Sequence, residues 1–149
     1  MLHNQPPRFA IGGVLYKCNT DGQVEILLIK KQGGSWTLPK GHIEANEPAQ
    51  VALEREMLEE VVLRGTVEAL LSTVSYSIIK RGQLRPKIVH YYLMHIARGT
   101  PRPNQREGIR QARWFMAPAA LQRVQNERVR TIIEQAILHI NHLNDTQVH

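Results

Sequence analysis

The chain has 149 residues, of which 42% are hydrophobic and 21% charged, a composition typical of one globular domain large enough to bury a core. Nineteen Lys and Arg residues against 13 Asp and Glu residues give a formal net charge of +6, which indicates either an anionic partner such as a nucleotide, polyphosphate or nucleic acid, or a solvated, solubilising surface. The single cysteine, Cys18, excludes an internal disulfide framework, and no apolar run is long enough to span a bilayer, so we expect a cytoplasmic protein without a membrane partner.

The first elements in the chain are predicted to be strands. Two β-rich runs occupy 8–18 and 24–32, and Asp21-Gly22 between them indicates a hairpin turn. The glycine-rich stretch at 33–42 then predicts a loop with a short strand at Trp36–Leu38.

A strongly acidic helix is expected next. Residues 44–60 hold six glutamates and one arginine, a net charge of −5 within a basic chain. Asn46 or Glu47 can cap this helix and Pro48 suits its first turn. The pattern predicts that the helix runs to about Val61–Leu63.

The second half of the chain predicts more strands and two further helices. In order, these are long strands at 67–79 and 87–97 joined by a basic loop at Lys80–Lys87, a short strand at 111–115, a short helix after Pro118 and an amphipathic helix at 126–140. Strands around one acidic helix, with a packed C-terminal helix, predict a single α/β domain with a mixed sheet.

The acidic helix carries carboxylates on its apolar face. At 100° per residue, Glu56 and Glu60 share the face of the alanines and leucine that should meet the core, and Glu59 lies at its edge. Grouping ionised carboxylates in a half-buried position is costly unless some are protonated or a cation binds. Hard oxygen ligands at this density suit Mg²⁺ or Mn²⁺. The alternative is that the helix rolls and exposes all its glutamates to water.

Residues 41–63, GHIEANEPAQVALEREMLEEVVL, resemble the Nudix box, a pattern written G-x5-E-x7-R-E-U-x-E-E-x-G-U with U aliphatic. Six of its seven fixed positions match, and the exception is Val62, where the family has glycine. The stretches WTLPKG before the box and EGIRQARWF after it resemble further family segments. The resemblance extends over residues 8–141, which leaves short tails on one domain spanning 1–149.

This resemblance implies a Nudix fold, an α/β/α sandwich with a mixed sheet, and a hydrolase that cleaves a nucleoside diphosphate linked to another group. The implied metal ligands for Mg²⁺ or Mn²⁺ are Glu56, Glu59, Glu60 and the backbone carbonyl of Lys40. Arg55 is expected to pair with Glu47 and to orient the carboxylates, and Gly41 and Glu47 are expected to support the site. The general base is left open between Glu56 and Glu107, because it differs among family members, and Glu107 is alternatively a solvated loop acid.

The sequence indicates the substrate less clearly than the type of reaction. SWTLPKGHIE and KIVHYYLM look most like the branch that hydrolyses diadenosine polyphosphates, and the basic Lys80–Lys87 stretch suits a long phosphate chain. The candidate substrate-binding residues are Lys40, Arg85 and Lys87 for phosphate, and Tyr76, Tyr92 and Trp36 for a base, with core packing as the alternative for each aromatic ring.

Three other functions stay open at this point. They are a nucleoside triphosphate pyrophosphohydrolase that removes oxidised nucleotides, an RNA 5′-pyrophosphohydrolase, and a non-catalytic nucleotide sensor. Nucleic acid is not expected as a partner apart from RNA 5′ ends, and a homodimer is left open.

Val62 leads to a prediction about how the acidic helix ends. The family glycine suits a left-handed helix end, a conformation that strains a β-branched residue. We therefore expect Val62 to avoid that conformation, with the helix ending late, near Leu63–Arg64, and Gly65 terminating it.

Overall fold

The structure is a computed structural model that describes residues 7–147, with the side chains of residues 7–145. Its elements are β1 (Arg8–Cys18), β2 (Val24–Lys31), β3 (Trp36–Thr37), β4 (Lys40–His42), α1 (Ala49–Glu60), β5 (Thr66–Lys80), β6 (Gln83–His95), a 3₁₀ turn (Gln105–Glu107), β7 (Ile109–Met116), α2 (Ala117–Arg123) and α3 (Glu127–Gln147). No helix in this part of the chain is long and apolar enough to cross a membrane.

The strands form one mixed sheet in the order β3-β2-β1-β6-β5, with β4 also paired to β1 and β7 to β2. β1 and β6 are parallel, and the other pairs are antiparallel. A core on one face packs against α1, and a second core on the other face packs against α2 and α3. The predicted α/β/α sandwich with a mixed sheet is confirmed.

Strand β2 shows how the two cores are separated. Ile26 and Leu28 point to the α2–α3 side, whereas Leu27 and Ile29 point to the α1 side, because successive side chains in a strand alternate. A strand covered on both faces therefore reads as a continuous apolar run. Lys31 continues this alternation towards the α1 side, which matters for the site below.

The prediction of a basic loop at Lys80–Lys87 is wrong. β5 and β6 remain paired as far as Lys80 and Gln83, so that only Arg81 and Gly82 form the turn. Both turn residues have positive φ, 53° and 74°, as a two-residue type I′ hairpin turn requires. The basic residues of this stretch therefore lie on a long hairpin.

The predicted start of the acidic helix is also wrong. α1 begins at Ala49 with Pro48 at the N-cap and no side-chain cap. Asn46 has a φ of 62° in the preceding turn, and Glu47 is bonded to Arg55, so neither side chain caps the helix.

The prediction for the end of α1 is contradicted as well. The helix ends early, at Glu60, and Val62 has a φ of 59°, in the left-handed region. The cause is packing, because the residues on either side, Val61 and Leu63, are both buried in the core. The chain must turn between them, and this leaves Val62 half exposed in a conformation that costs a β-branched residue roughly 1–2 kcal/mol.

Gly65 is needed for close packing rather than for the helix stop. A Cβ at this position would collide with the backbone carbonyl of His95 on the neighbouring strand.

A loop that is distant in sequence caps the C-terminal end of α1. The backbone N–H of Arg102 donates to the carbonyl of Val61 at 2.9 Å, and that of Asn104 donates to the carbonyl of Glu60 at 3.0 Å. The Asn104 side-chain amide donates to the carbonyl of Glu59, also at 3.0 Å. Three carbonyls at the helix end are thereby satisfied by the loop that leads to β7.

Candidate active site

A cavity of about 390 Å³ lies where α1 meets β4 and the first residues of β1. Its two walls carry opposite charge. The acidic wall consists of Glu56, Glu59 and Glu60 from α1 with Glu107 from the 3₁₀ turn, and the basic wall carries Lys31, Lys40 and Lys87.

The glutamates of the acidic wall differ in burial. Glu60 is 5% exposed, and its Oε2 atom has no hydrogen-bond partner among the described residues. Burial, reinforced by the charge of Glu56, raises the pKa of Glu60 to about 7. Burial also raises the pKa of Glu56, whereas the Glu59 side chain is half exposed. The helix therefore directs Glu56 and Glu60 inward and places Glu59 at the edge, as its periodicity predicts.

Gly41 lets β4 approach the acidic wall. β4 is held by antiparallel pairing with β1, in which Gly41 lies opposite Ile11. A Cβ on Gly41 would overlap the Glu56 carboxylate, so any other residue would fill the space beside it.

Arg55 holds the acidic wall in place. It donates to Glu47 through Nε at 2.8 Å and Nη2 at 2.9 Å, a two-point contact that draws the pKa of Glu47 down to about 2. Its Nη1 atom donates to Glu56 at 2.9 Å and to Glu59 at 3.4 Å, and Nη2 also reaches the carbonyl of His42. The predicted Arg55–Glu47 pair is confirmed, and the Arg55–Glu59 pair coexists with it.

The acidic wall offers oxygen ligands for a cation, but its side chains do not form a complete metal site. Across the described residues, no three His, Cys, Asp or Glu side chains converge as a preformed metal site. The bonds from Arg55 account for this, since they hold Glu56 and Glu59 towards the guanidinium. The unpartnered, buried Oε2 of Glu60 and the Glu56 carboxylate, which packs directly against Gly41, are the oxygen ligands that a hard cation would use. The predicted ligand set of Glu56, Glu59, Glu60 and the Lys40 carbonyl stays a prediction.

The basic wall gathers cations that have no acidic partner. Lys31, Lys40 and Lys87 make no ion pair within residues 7–145. Burial, followed by the charge of Lys40, lowers the pKa of Lys87. Burial and the charges of Lys87 and Arg8 likewise lower the pKa of His42. After burial, the charges of neighbouring cations are the next causes of both pKa shifts.

Tyr76 links the basic wall to the C-terminal helix. Its hydroxyl accepts a hydrogen bond from Lys40 Nζ at 3.2 Å, and it lies opposite Lys87 in the β5–β6 ladder. The guanidinium of Arg128, at the start of α3, lies 4.6 Å from the centre of its ring. Arg85, two residues before Lys87 on the same face of β6, has a buried Nε without a hydrogen-bond partner in the described chain.

Two predicted substrate-binding aromatics are not at this cavity. Trp36 is 8% exposed and packs edge-on against Phe115, at 4.9 Å between ring centres, in the core under α2 and α3. Tyr92 packs against the other core, on the α1 side. Both rings fill the two cores of the sandwich, so for them the core-packing alternative is the one the structure supports. Glu107 does line the cavity, and its charge helps to raise the pKa of Glu60.

Sequence reasoning missed Lys31, Arg8 and Arg128. A usable signal exists for Lys31, because extending the alternation of β2 by two residues beyond Ile29 places it on the α1 side. Nothing local marks Arg8 or Arg128, because each approaches the site only through pairing or packing with segments far away in the chain.

The cavity sets carboxylates opposite a concentration of cations, an arrangement that suits a metal ion and an anionic phosphate group. Comparison with known families agrees with this arrangement, since the NUDIX domain model matches residues 6–136. The chain belongs to the MutT-like Nudix family, whose hydrolases generally use divalent metal ions.

Several named proteins resemble parts of the chain. A Mycobacterium tuberculosis protein that bears the name mutator protein MutT4 is 40% identical over 82 residues, covering 53% of this chain and 33% of its own length. An RNA pyrophosphohydrolase from Sodalis glossinidius is 45% identical over 69 residues, covering 43% of this chain and 38% of its own length. Nudix hydrolase 21 of Arabidopsis thaliana is 29% identical over 82% of this chain and 61% of its own length. The chain thus spans less than two thirds of the length of these curated relatives.

Solved structures share the fold over nearly the whole chain. The Ap4A hydrolase of C. elegans, in a binary complex, has a TM-score of 0.75 at 20% identity, covering 91% of this chain and 98% of that one. The NUDIX domain of Shewanella oneidensis NrtR, complexed with ADP ribose, has a TM-score of 0.74 at 20% identity, covering 91% and 90%.

Proposed function

We propose that this Nudix hydrolase cleaves a pyrophosphate bond in a dinucleoside polyphosphate of the diadenosine tetraphosphate type. The observation that carries the proposal is the basic wall. Lys31, Lys40 and Lys87 converge on one cavity without acidic partners, and Arg8 adds its charge to them. A long phosphate chain supplies the anionic charge that such a group of cations lacks.

In this proposal the acidic wall binds Mg²⁺ or Mn²⁺ through Glu56, Glu59, Glu60 and the carbonyl of Lys40. Such an ion neutralises phosphate oxygens and acidifies bound water. Arg55 keeps the carboxylates oriented through its bonds to Glu47, Glu56 and Glu59.

The remaining roles belong to side chains around the cavity. Glu56 or Glu107 removes the proton from the attacking water, and both line the cavity as that role requires. Lys40 and Lys87 bind phosphate oxygens, and Arg85 extends the row of cations along β6. Tyr76, which contacts the cavity residue Lys40 and Arg128, is proposed to bind a nucleoside that extends beyond the cavity; these two contacts support the proposal.

A second candidate is the removal of pyrophosphate from RNA 5′ ends. It is favoured by the 45% identity to an RNA pyrophosphohydrolase over 69 residues, and a basic cavity suits this substrate equally well. A nucleoside triphosphate pyrophosphohydrolase is the third, and it draws support from the MutT4-named relative.

Steady-state kinetics with three substrates at equal Mg²⁺ would separate these functions. We expect kcat/KM for diadenosine tetraphosphate to exceed that for ATP and for a short 5′-triphosphorylated RNA by at least about tenfold, which corresponds to about 1.4 kcal/mol. A larger kcat/KM for the RNA or for ATP would contradict the proposal. Nucleotide binding without turnover at any Mg²⁺ or Mn²⁺ concentration would indicate a sensor instead.

A further inference from the structure

Strand β5 has one open edge. It is the last strand of the sheet and pairs only with β6, and no backbone hydrogen bond from elsewhere in the described chain reaches it. None of its 15 residues is buried. Two register shifts interrupt the ladder before Ser72, but from Ser72 to Lys80 the pairing is regular. The outer edge of this nine-residue segment is therefore a straight row of free donors and acceptors.

The segment lacks the features that usually protect an edge strand. Proteins normally place charged residues, prolines or bulges along such an edge to prevent pairing with other chains. Residues 72–79 read STVSYSII and contain no charge and no proline, and the bulges lie outside them. This composition favours pairing with another strand rather than excluding it.

Aliphatic side chains are also exposed at the end of this edge. Ile79 is 76% exposed and Leu84, its neighbour across the hairpin, is 57% exposed. Ile78 is 39% exposed on the opposite face of the hairpin. Strand β1 pairs with β6 only from Lys87 onwards, where Arg8 lies opposite it. The part of the hairpin nearer the turn therefore has no β1 strand beside it, and the described chain does not cover these side chains.

We propose that the Ser72–Lys80 edge is a dimer interface, in which β5 pairs antiparallel with β5 of a second copy of this chain. A symmetric pairing centred on Tyr76 sets Ile79 beside Thr73 of the other copy and Ile78 beside Val74. These pairs put the exposed isoleucines against β-branched residues, a favourable cross-strand combination. The same patch is used on both copies, as two-fold symmetry requires.

Charge favours this register over a tip-to-tip arrangement. In the centred pairing, Lys80 lies opposite Ser72 of the other copy. The two Lys80 side chains are then about 27 Å apart, given about 3.4 Å per residue. Repulsion over that distance is largely screened at physiological salt. Pairing the hairpin tips with each other would instead bring Lys80 and Arg81 of both copies together.

The pairing has a consequence for the cavity. Tyr76 lies at the centre of the proposed interface and also touches Lys40 and Arg128. Tyr76 of the second copy would therefore lie next to each cavity. A single added strand pair is smaller than a standard interface of about 800 Å² per partner, so we expect reversible association at micromolar concentrations.

Sedimentation velocity of the full chain between 1 and 100 μM tests the interface directly. The wild-type protein is expected to shift from monomer to dimer within this range. Ile79→Lys should weaken dimerisation at least tenfold, because it removes the apolar contact and adds one charge per copy to the edge. Thr73→Lys, which changes the residue expected opposite Ile79, should have the same effect.

Leu138→Lys is the matched control, since this residue is 70% exposed on α3 and does not belong to the β5 edge. It makes the same change in charge and apolar surface and should leave the dimer intact. Circular dichroism melts of each variant establish that the monomers are folded. A wild-type protein that is monomeric at 100 μM overturns the proposal, and so does a dimer that Ile79→Lys and Thr73→Lys leave unchanged.

Discussion

Three of the four glutamates of the acidic wall come from one helix, whereas the basic wall is assembled from strands that are far apart in the chain. Glu56, Glu59 and Glu60 are neighbours in sequence, and helical geometry alone decides which of them point inward. Lys31 and Lys87 belong to β2 and β6, and they meet only because β1 lies between those strands in the sheet. The acidic wall can therefore be found by local periodicity, and the basic wall requires the topology.

The largest effect should come from the acidic wall. Glu60→Gln should lower kcat by roughly 10²- to 10³-fold, the scale of losing one preorganised electrostatic contact. The neutral amide suits a site where burial already raises the pKa of the carboxyl to about 7, so the melting temperature should not fall. Activity and melting curves of the same preparation check both points. Native turnover in Glu60→Gln would show that this wall does not hold the metal. Glu54→Gln, on the exposed side of α1, is the control.

The pH dependence of stability in metal-free protein should show the burial of Glu60 directly. Its folded pKa of about 7 lies above the ordinary value of 4.5, so between these pH values the native state binds more protons than the unfolded state. The free energy of unfolding should therefore fall as pH rises from 4.5 to 7, by up to about 3 kcal/mol from this group.

Urea unfolding in EDTA, comparing wild type with Glu60→Gln, isolates that contribution. His42 has a lowered pKa and acts in the opposite direction, and the comparison cancels it because both proteins retain it. Equal pH slopes for the two proteins would refute the assignment. Glu47, with a pKa near 2, and Glu56, with a raised pKa, are likewise retained by both proteins, so the comparison cancels them as well.

A smaller effect is expected from the basic wall. Lys87→Gln should raise KM for diadenosine tetraphosphate about tenfold while changing kcat less, because several cations share the phosphate chain. The dependence of KM on salt should weaken as well. Lys80→Gln, exposed near the hairpin turn, removes the same charge outside the cavity and should leave KM unchanged. An equal rise in KM for both variants would show only a general loss of positive charge.

The smallest effect concerns the end of α1, which joins the acidic wall to the rest of the protein. Val62→Gly should stabilise the fold by about 1 kcal/mol, because glycine adopts a positive φ without strain and the Val62 side chain is half exposed. Val62→Ala keeps the Cβ and should gain less. Chemical denaturation measures both variants, and a glycine variant less stable than wild type would show that the half-buried valine contacts outweigh the strain.

Much of the fold follows from sequence pattern, and the failures have specific physical causes. Strands β1 and β2 are readable because they are β-rich apolar runs bounded by turn residues, and α1 is readable because its buried side chains repeat with the helical period. The prediction of a loop between β5 and β6 is wrong because charged residues resemble a loop, although Arg81-Gly82 suits a tight hairpin. The prediction for Val62 is wrong because the burial of Val61 and Leu63, rather than local strain, decides its conformation.

In the candidate site too, some features follow from the sequence pattern and others do not. Helical periodicity directs Glu56 and Glu60 inward, and the resemblance to the Nudix box implies the pair of Arg55 with Glu47, as the structure has them. The roles of these residues in binding and catalysis remain predictions. Trp36 and Tyr92 were selected by residue type, and residue type does not tell which face of a strand meets the cavity.

The loop that caps α1 also acts as a spacer of fixed length. Asn104 is anchored to the helix end through Glu59 and Glu60, and Glu107 lies only three residues further along. A single 3₁₀ turn connects Asn104 to Glu107. Asn104, which caps the end of the helix, therefore also sets how far Glu107 extends into the cavity. Asn104 thus fixes the position of Glu107 relative to the glutamates of α1. A change in loop length would alter the spacing between them.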